Sequence, residues 1–139
     1  MIVLDTSGVL AALDASQRHH AAAAAALAAA GPPLVLSPFV LAELDYLLAT
    51  RVGRAAQQAL LVEVARGAYT LAPFGAGGVR RAIAILERYA DLDLGLADAS
   101  IVVLAERHGT RDLLTLDERH FRALRASRGR GFRLLPADA

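Results

Sequence analysis

Short apolar runs alternate along the chain with longer segments whose apolar positions recur every three or four residues. The first run, residues 1–4, contains the β-branched pair Ile2 and Val3 and stops at Asp5, as a strand buried on both faces does. Runs at 34–36, 69–71, 113–116 and 132–135 repeat that form. Between them the helical period predicts helices to about residue 15, from a Ser16 cap to 30, from Ser37-Pro38 to about 52, after Gly53 to about 67, and over 79–89, 96–108 and 117–126. Residues 73–78 read as a loop and 91–95 as an acidic connector. No Asn-Gly hairpin signal occurs, and strands alternate with helices throughout. That order predicts an α/β fold, a central parallel sheet in three layers with helices on both faces, as one domain over residues 1–139. Ligands of such sheets collect beyond the C-terminal ends of the strands, which puts the chemistry just after Leu4, Leu36, Leu71 and Leu116.

Composition narrows the chemistry. The 139 residues are 55% hydrophobic and only 5% aromatic, so the core must be aliphatic. The net charge of +1 is no polycation, and nucleic-acid contacts would have to come from local clusters. There is no cysteine, which removes disulfides, thiolate catalysis and thiolate metal ligands. There is no lysine either. The Ala-rich stretch 21–30 falls short of the ~20 apolar residues of a bilayer span and has no basic leader. We expect no membrane or export segment and a cytoplasmic location.

Four carboxylates stand in unusual company. Asp5 closes the first strand, where it serves either as a turn or cap residue or as a functional acid. Glu43 has Phe39, Val40, Tyr46 and Leu47 as its helical neighbours and no arginine at pairing distance, so it needs a partner from elsewhere, structural or functional. Asp98 sits in the first turn of a helix among Leu94, Ile101 and Val102, a place the helix dipole alone would favour. Asp117 follows the fourth strand, two residues after Thr115, and also suits a helix cap. All four fall at strand ends or on helices beside them. Four acids meeting there would repel one another and rise in pKa unless a cation intervened. Oxygen-only ligands suit Mg2+, or Mn2+, rather than zinc, and His19, His20 and His108 show no zinc spacing.

The stretches IVLDTSGVLA (2–11), SPFVLAELDYLL (37–48), LGLADASIVVLAER (94–107) and LLTLDERHF (113–121) resemble, in order, the motifs of PIN-domain ribonucleases, and most closely those of VapC-type toxins. The resemblance implies a PIN-like three-layer fold and an acidic metal site made by Asp5, Glu43, Asp98 and Asp117. It casts Asp5 and Asp98 as direct Mg2+ ligands, with Glu43 and Asp117 binding directly or through water. Thr6, Ser7 and Thr115 resemble the hydroxyls that support those acids. It further implies hydrolysis of RNA to 5′-phosphate and 3′-hydroxyl ends, a VapB-like antitoxin that covers the site, and a homodimer. Cyclic-phosphate products would instead point to His120.

An arginine cluster, Arg119, Arg122, Arg125, Arg128, Arg130 and Arg133, supplies either phosphate contacts, with Arg119 and Arg122 the nearest candidates, or a solvated or antitoxin-binding face. With few aromatics to stack on bases, a structured RNA such as tRNA or rRNA is the expected substrate. Phosphatases of the haloacid-dehalogenase type would want a second Asp where Ser7 stands, and they and phosphate-receiver domains need a lysine. A non-toxin PIN nuclease of RNA processing and a non-catalytic binding module stay open.

Overall fold

The computed structural model describes residues 1–139. Five parallel strands form one sheet: β1 (Ile2–Leu4), β2 (Leu34–Leu36), β3 (Thr70–Leu71), β4 (Asp112–Leu114) and β5 (Arg133–Leu135), in the order β3-β2-β1-β4-β5. Successive side chains of a strand point to opposite faces, yet Ile2, Val3 and Leu4 are each no more than 1% exposed. Both faces of β1 are therefore covered. Only β3, at the sheet edge, has both residues exposed.

Seven helices flank the sheet: α1 (Thr6–Leu13), α2 (His20–Ala29), α3 (Pro38–Leu47), α4 (Arg54–Ala65), α5 (Ala76–Arg88), α6 (Leu96–His108) and α7 (Glu118–Phe121). The core is aliphatic, with Phe121 the largest fully buried side chain. Ala23 of α2 packs on Ala11 and Ala12 of α1, so the Ala-rich segment covers its own chain. Helix α6 is buried along most of its length and crosses β1. No helix is long and apolar enough to cross a membrane.

Several boundaries differ from the sequence expectation, each for a local reason. Ser16 does not cap α2: its N–H and hydroxyl both donate to Asp14, at 3.0 and 2.7 Å, and the helix starts later at His20. Helix α5 starts three residues earlier than the glycines suggest. Phe74 packs edge-on against Phe39, with ring centres 5.2 Å apart, and covers Gly78, where a Cβ would lie 2.8 Å from its ring. The glycine is thus a packing requirement inside a helix. Strand β4 ends at Leu114: Thr115 N–H still donates to Leu135 O at 3.0 Å, but Leu116 N–H turns away to the Ser7 hydroxyl at 2.9 Å. Helix α7 covers only Glu118–Phe121, since Ala126 is already engaged with the turn at Arg130.

Candidate active site

Strand order reverses at β1, with β2 on one side and β4 on the other, and an open cleft forms outside the strand ends there. The cleft measures about 380 Å3, and Asp5, Glu43, Asp98 and Asp117 all line it. Segments separated by most of the chain thus bring the four sequence-selected acids together.

Asp5 occupies the N-cap position of α1, but its side chain makes no cap bond. Its Oδ2 instead accepts from the hydroxyl of Ser7 at 2.8 Å and from that of Thr115 at 2.6 Å. Each hydroxyl has one proton, so both are committed to this oxygen, and the 3.3 Å approach of Ser7 to Thr115 adds no third bond. The same two oxygens accept backbone N–H groups, Leu116 on Ser7 at 2.9 Å and Asp117 on Thr115 at 2.9 Å. The chain leaving β4 is thereby tied to the carboxylate that closes β1. Asp5 is only 6% exposed. Burial pushes its pKa above the ordinary aspartate value; the two hydroxyl bonds oppose this, and the charge of Asp98 adds to it.

Asp98 stands in the first turn of α6 and its Oδ2 accepts from Gly95 N–H at 3.1 Å. Burial raises its pKa most; the Gly95 bond and His120 oppose the rise, while Asp117 and Glu43 reinforce it. Glu43 is solvent-exposed on α3, contrary to the partly apolar setting its neighbours suggested, because Tyr46 beside it is 67% exposed. Its partner is the hydroxyl of Thr6, which donates to Oε1 at 2.9 Å. Asp117 is indeed a cap: it accepts from His120 N–H at 3.1 Å and lies 2.8 Å from His120 Nδ1.

Two buried serines fix the helices that carry Glu43 and Asp98. Ser37 caps α3, accepting from Phe39 N–H at 3.2 Å, and its hydroxyl meets that of Ser100 at 2.7 Å. Ser100 in turn donates to Ala97 O at 2.6 Å, so Ser37 is the donor in the serine pair. Sequence reading singled out neither Ser100 nor two further cleft residues, Gln17 and Arg51.

Arg51 is the one cation lining the cleft, and it lies in no ion pair. Helix α3 continues into a π turn, Leu48–Val52, closed by Gly53 N–H on Leu48 O at 2.7 Å. Four residues of an α-helix overshoot one full turn by about 40°; a π turn reduces that overshoot. Glu43, Leu47 and Arg51 therefore stay on one line facing the cleft. Their spacing of four was the available signal.

The arginines expected to meet RNA divide. Arg119 is exposed and free of carboxylates, whereas Arg122 is held by Glu118 and Asp138, at 2.9 and 2.7 Å. Its charge serves the C-terminal turn, which corrects the grouping made from sequence.

The acids do not form a ready-made cage: no three acidic or imidazole groups are near enough to hold an ion together. Asp98 and Glu43 each spend one oxygen on a neighbour, and Asp117 engages both of its oxygens with His120. The donor chemistry nevertheless fits a hard, hydrated ion. Mg2+ keeps several waters and uses one or two carboxylates, and Asp5 and Asp98 are two acids whose pKa values burial and neighbouring carboxylates raise.

Comparison with known proteins agrees with this geometry. The model of the PIN domain family matches residues 2–126. Ribonuclease VapC26 of Mycobacterium tuberculosis (strain ATCC 25618 / H37Rv) is 48% identical over 135 residues, 97% of this chain and 100% of that protein. Among solved structures, the Mycobacterium tuberculosis VapC20, described as a Sarcin-Ricin loop cleaving toxin, superposes with a TM-score of 0.78 at 24% identity, over 84% of this chain and 90% of its own. A toxin-antitoxin complex from Klebsiella pneumoniae gives a TM-score of 0.65 at 22% identity, over 89% and 92% of the two chains. These two likenesses concern the fold.

Proposed function

The chain belongs to the PIN-domain family, and from that premise we propose that it is a Mg2+-dependent endoribonuclease, the toxin of a VapBC-type pair. The observation that carries the reading is the meeting of Asp5, Glu43, Asp98 and Asp117 in one open cleft at the reversal of strand order. The close relative's designation as a ribonuclease supports it.

Asp5 and Asp98 would hold the ion, with Glu43 and Asp117 reaching it directly or through water; Mn2+ would serve in place of Mg2+. When bound, such an ion supplies positive charge to the phosphate and lowers the pKa of the attacking water. Ser7 and Thr115 keep the Asp5 carboxylate ionised and aimed, since both donate to it. Thr6 holds Glu43 in the same way from the start of α1. A cleft carboxylate takes the proton that the water loses. The new bond joins water oxygen to phosphorus, the bond to the 3′ oxygen breaks, and the products carry 5′-phosphate and 3′-hydroxyl ends. The 2′-hydroxyl plays no nucleophilic part.

Arg119, exposed, free of carboxylates and two residues after Asp117, is a phosphate contact, alongside Arg51 in the cleft itself. A structured RNA, tRNA or rRNA, is the substrate class, in keeping with the chain's few aromatics and with the description of its structural neighbour. A VapB-like antitoxin would cover the cleft, a partner class in keeping with the toxin-antitoxin complex among the structural neighbours, and a second copy would complete a homodimer. Purified protein should cleave total RNA with Mg2+ and stop with EDTA. Cleavage that persists in EDTA, or in a contamination-free Asp98→Asn protein, overturns the proposal.

A further inference from the structure

A second polar concavity lies away from the acids. It consists of two hollows, of about 130 and 230 Å3, on either side of the turn at residues 126–128, and they share Ala126, Ser127 and Arg128. Arg88 and Arg125 line the first, Arg111 and Arg130 the second. None of these five guanidinium groups takes part in any ion pair. The one carboxylate lining the hollows, Glu106, is already closed onto Arg81 by two bonds of 3.0 and 2.8 Å. The rim is therefore uncompensated positive charge.

Three further observations point to a ligand. Tyr89 lines the first hollow, and its hydroxyl is buried with no hydrogen-bond partner. Buried polar atoms are seldom left so. The Arg88 guanidinium lies over the Tyr89 ring, 5.2 Å from its centre, which leaves its N–H edges free. Arg128, between the hollows, has φ of 62°, a left-handed backbone that a side-chain-bearing residue adopts at some expense. Such strain is retained where a side chain must be placed.

We infer that this groove is a second RNA-binding site, taking phosphates of the substrate backbone away from the scissile bond. The inference rests on the ribonuclease reading above. Helix α6 sets the geometry. Its first turn carries Asp98 at the acid cleft, and Gly109, just past its far end, lines the groove. At 1.5 Å per residue the two ends are roughly 16 Å apart. A short oligonucleotide at the acids would not reach the groove, whereas a folded RNA would touch both. An acidic protein segment is the competing occupant. Protein partners anchor through buried aromatic or aliphatic side chains. The second hollow has only Ala126 to offer, while guanidinium groups suit phosphates: Arg111 and Arg125 each give one nitrogen to backbone carbonyls, and Arg88, Arg128 and Arg130 make no side-chain hydrogen bond.

The test compares the wild-type chain with an Arg88→Ala/Arg128→Ala/Arg130→Ala variant and its triple lysine counterpart. The lysine variant retains charge and controls for folding. On a long structured RNA, the alanine variant should raise KM about tenfold or more with kcat unchanged, while kcat/KM on a short oligonucleotide stays at the wild-type value. RNA binding in EDTA, read by fluorescence anisotropy, should lose about three from the slope of log K against log salt, roughly one per phosphate contact. The lysine variant should restore most of both. Equal KM values on long RNA, or a loss that affects poly-glutamate binding and spares RNA, overturn the inference. If the wild-type chain cleaves no RNA, the ribonuclease reading fails, and the anisotropy measurement still decides whether the groove binds RNA.

Discussion

The hydroxyls of Ser37 and Ser100 meet at 2.7 Å, both side chains fully buried, and join the N-terminal parts of the two helices that carry Glu43 and Asp98. The proton order runs from Ser37 to Ser100 to Ala97 O. Ser100→Ala therefore leaves the Ser37 hydroxyl buried as a donor without an acceptor, which costs about 1–3 kcal/mol. Urea unfolding should show that loss with an unchanged m-value. The Ser37→Ala/Ser100→Ala double variant should be less destabilised than the sum of the singles, since it removes the stranded donor. Strict additivity would mean that the pair does not act as one unit.

Gly8 stands where α1 passes the end of β4. A Cβ there would lie 2.5 Å from Leu114 O, a backbone atom that cannot turn aside. Alanine is the better helix former, but overpacking outweighs that gain. Gly8→Ala should destabilise by about 1–3 kcal/mol and reduce cleavage, because Leu114 immediately precedes the Thr115 that holds Asp5. A melting temperature equal to or above wild type would refute the close approach.

Asp5 and Asp98 have folded pKa values above the ordinary aspartate value. As pH falls from neutrality through those raised values, the folded chain takes up protons before the unfolded chain does, so stability rises. Asp138 behaves oppositely. The Arg122 guanidinium first, then Leu134 N–H, lower its pKa to about 2, so its contribution is present above 3.8 and is lost as pH falls towards 2. Metal-free protein should reach its highest melting temperature in the weakly acidic range. Saturating Mg2+ should raise the melting temperature at neutral pH and flatten the acid-side gain. Asp98→Asn should flatten it too, keep the Gly95 bond through its amide oxygen, and abolish cleavage. A metal-free optimum at or above neutral pH would contradict the shifts.

His120 lies 2.8 Å from Asp117, an arrangement that could serve a histidine-based cleavage. The acid-site mechanism predicts otherwise. His120→Ala should retain cleavage within about tenfold, and the fragments should accept ligation at their 5′-phosphates. Fragments ending in 2′,3′-cyclic phosphate, together with loss of cleavage in His120→Ala, would transfer the chemistry from the carboxylates to the imidazole.

Much of this was legible from residue order. The five short runs became the five parallel strands, because short, mainly apolar segments flanked by helices have few other places to go. Asp5 and Asp98 stood out since each acid interrupts an apolar run. The exposure of Glu43 was misjudged from its neighbours, because a helix face is settled by what packs on it and nothing covers Tyr46. Ser100 escaped notice inside an apolar helix, where a buried hydroxyl is intelligible only once Ser37 is seen opposite it. The arginine cluster looked uniform until two carboxylates claimed Arg122 and Asp112 claimed Arg133, at 3.0 Å. The Glu118 pair is local, but the pairing of Arg122 with Asp138 and of Arg133 with Asp112, 16 and 21 residues apart, depends on the completed fold.

The wide turn at Leu48–Val52 makes the inner lining of the cleft a matter of residue count. Each residue of a helix advances the next by about 100°. Losing a single codon inside that turn would restore ordinary pitch and swing the guanidinium of Arg51 round the helix barrel, with every acid left in place. Length variation at this one spot could therefore redraw which RNAs are admitted while the hydrolytic apparatus stays whole.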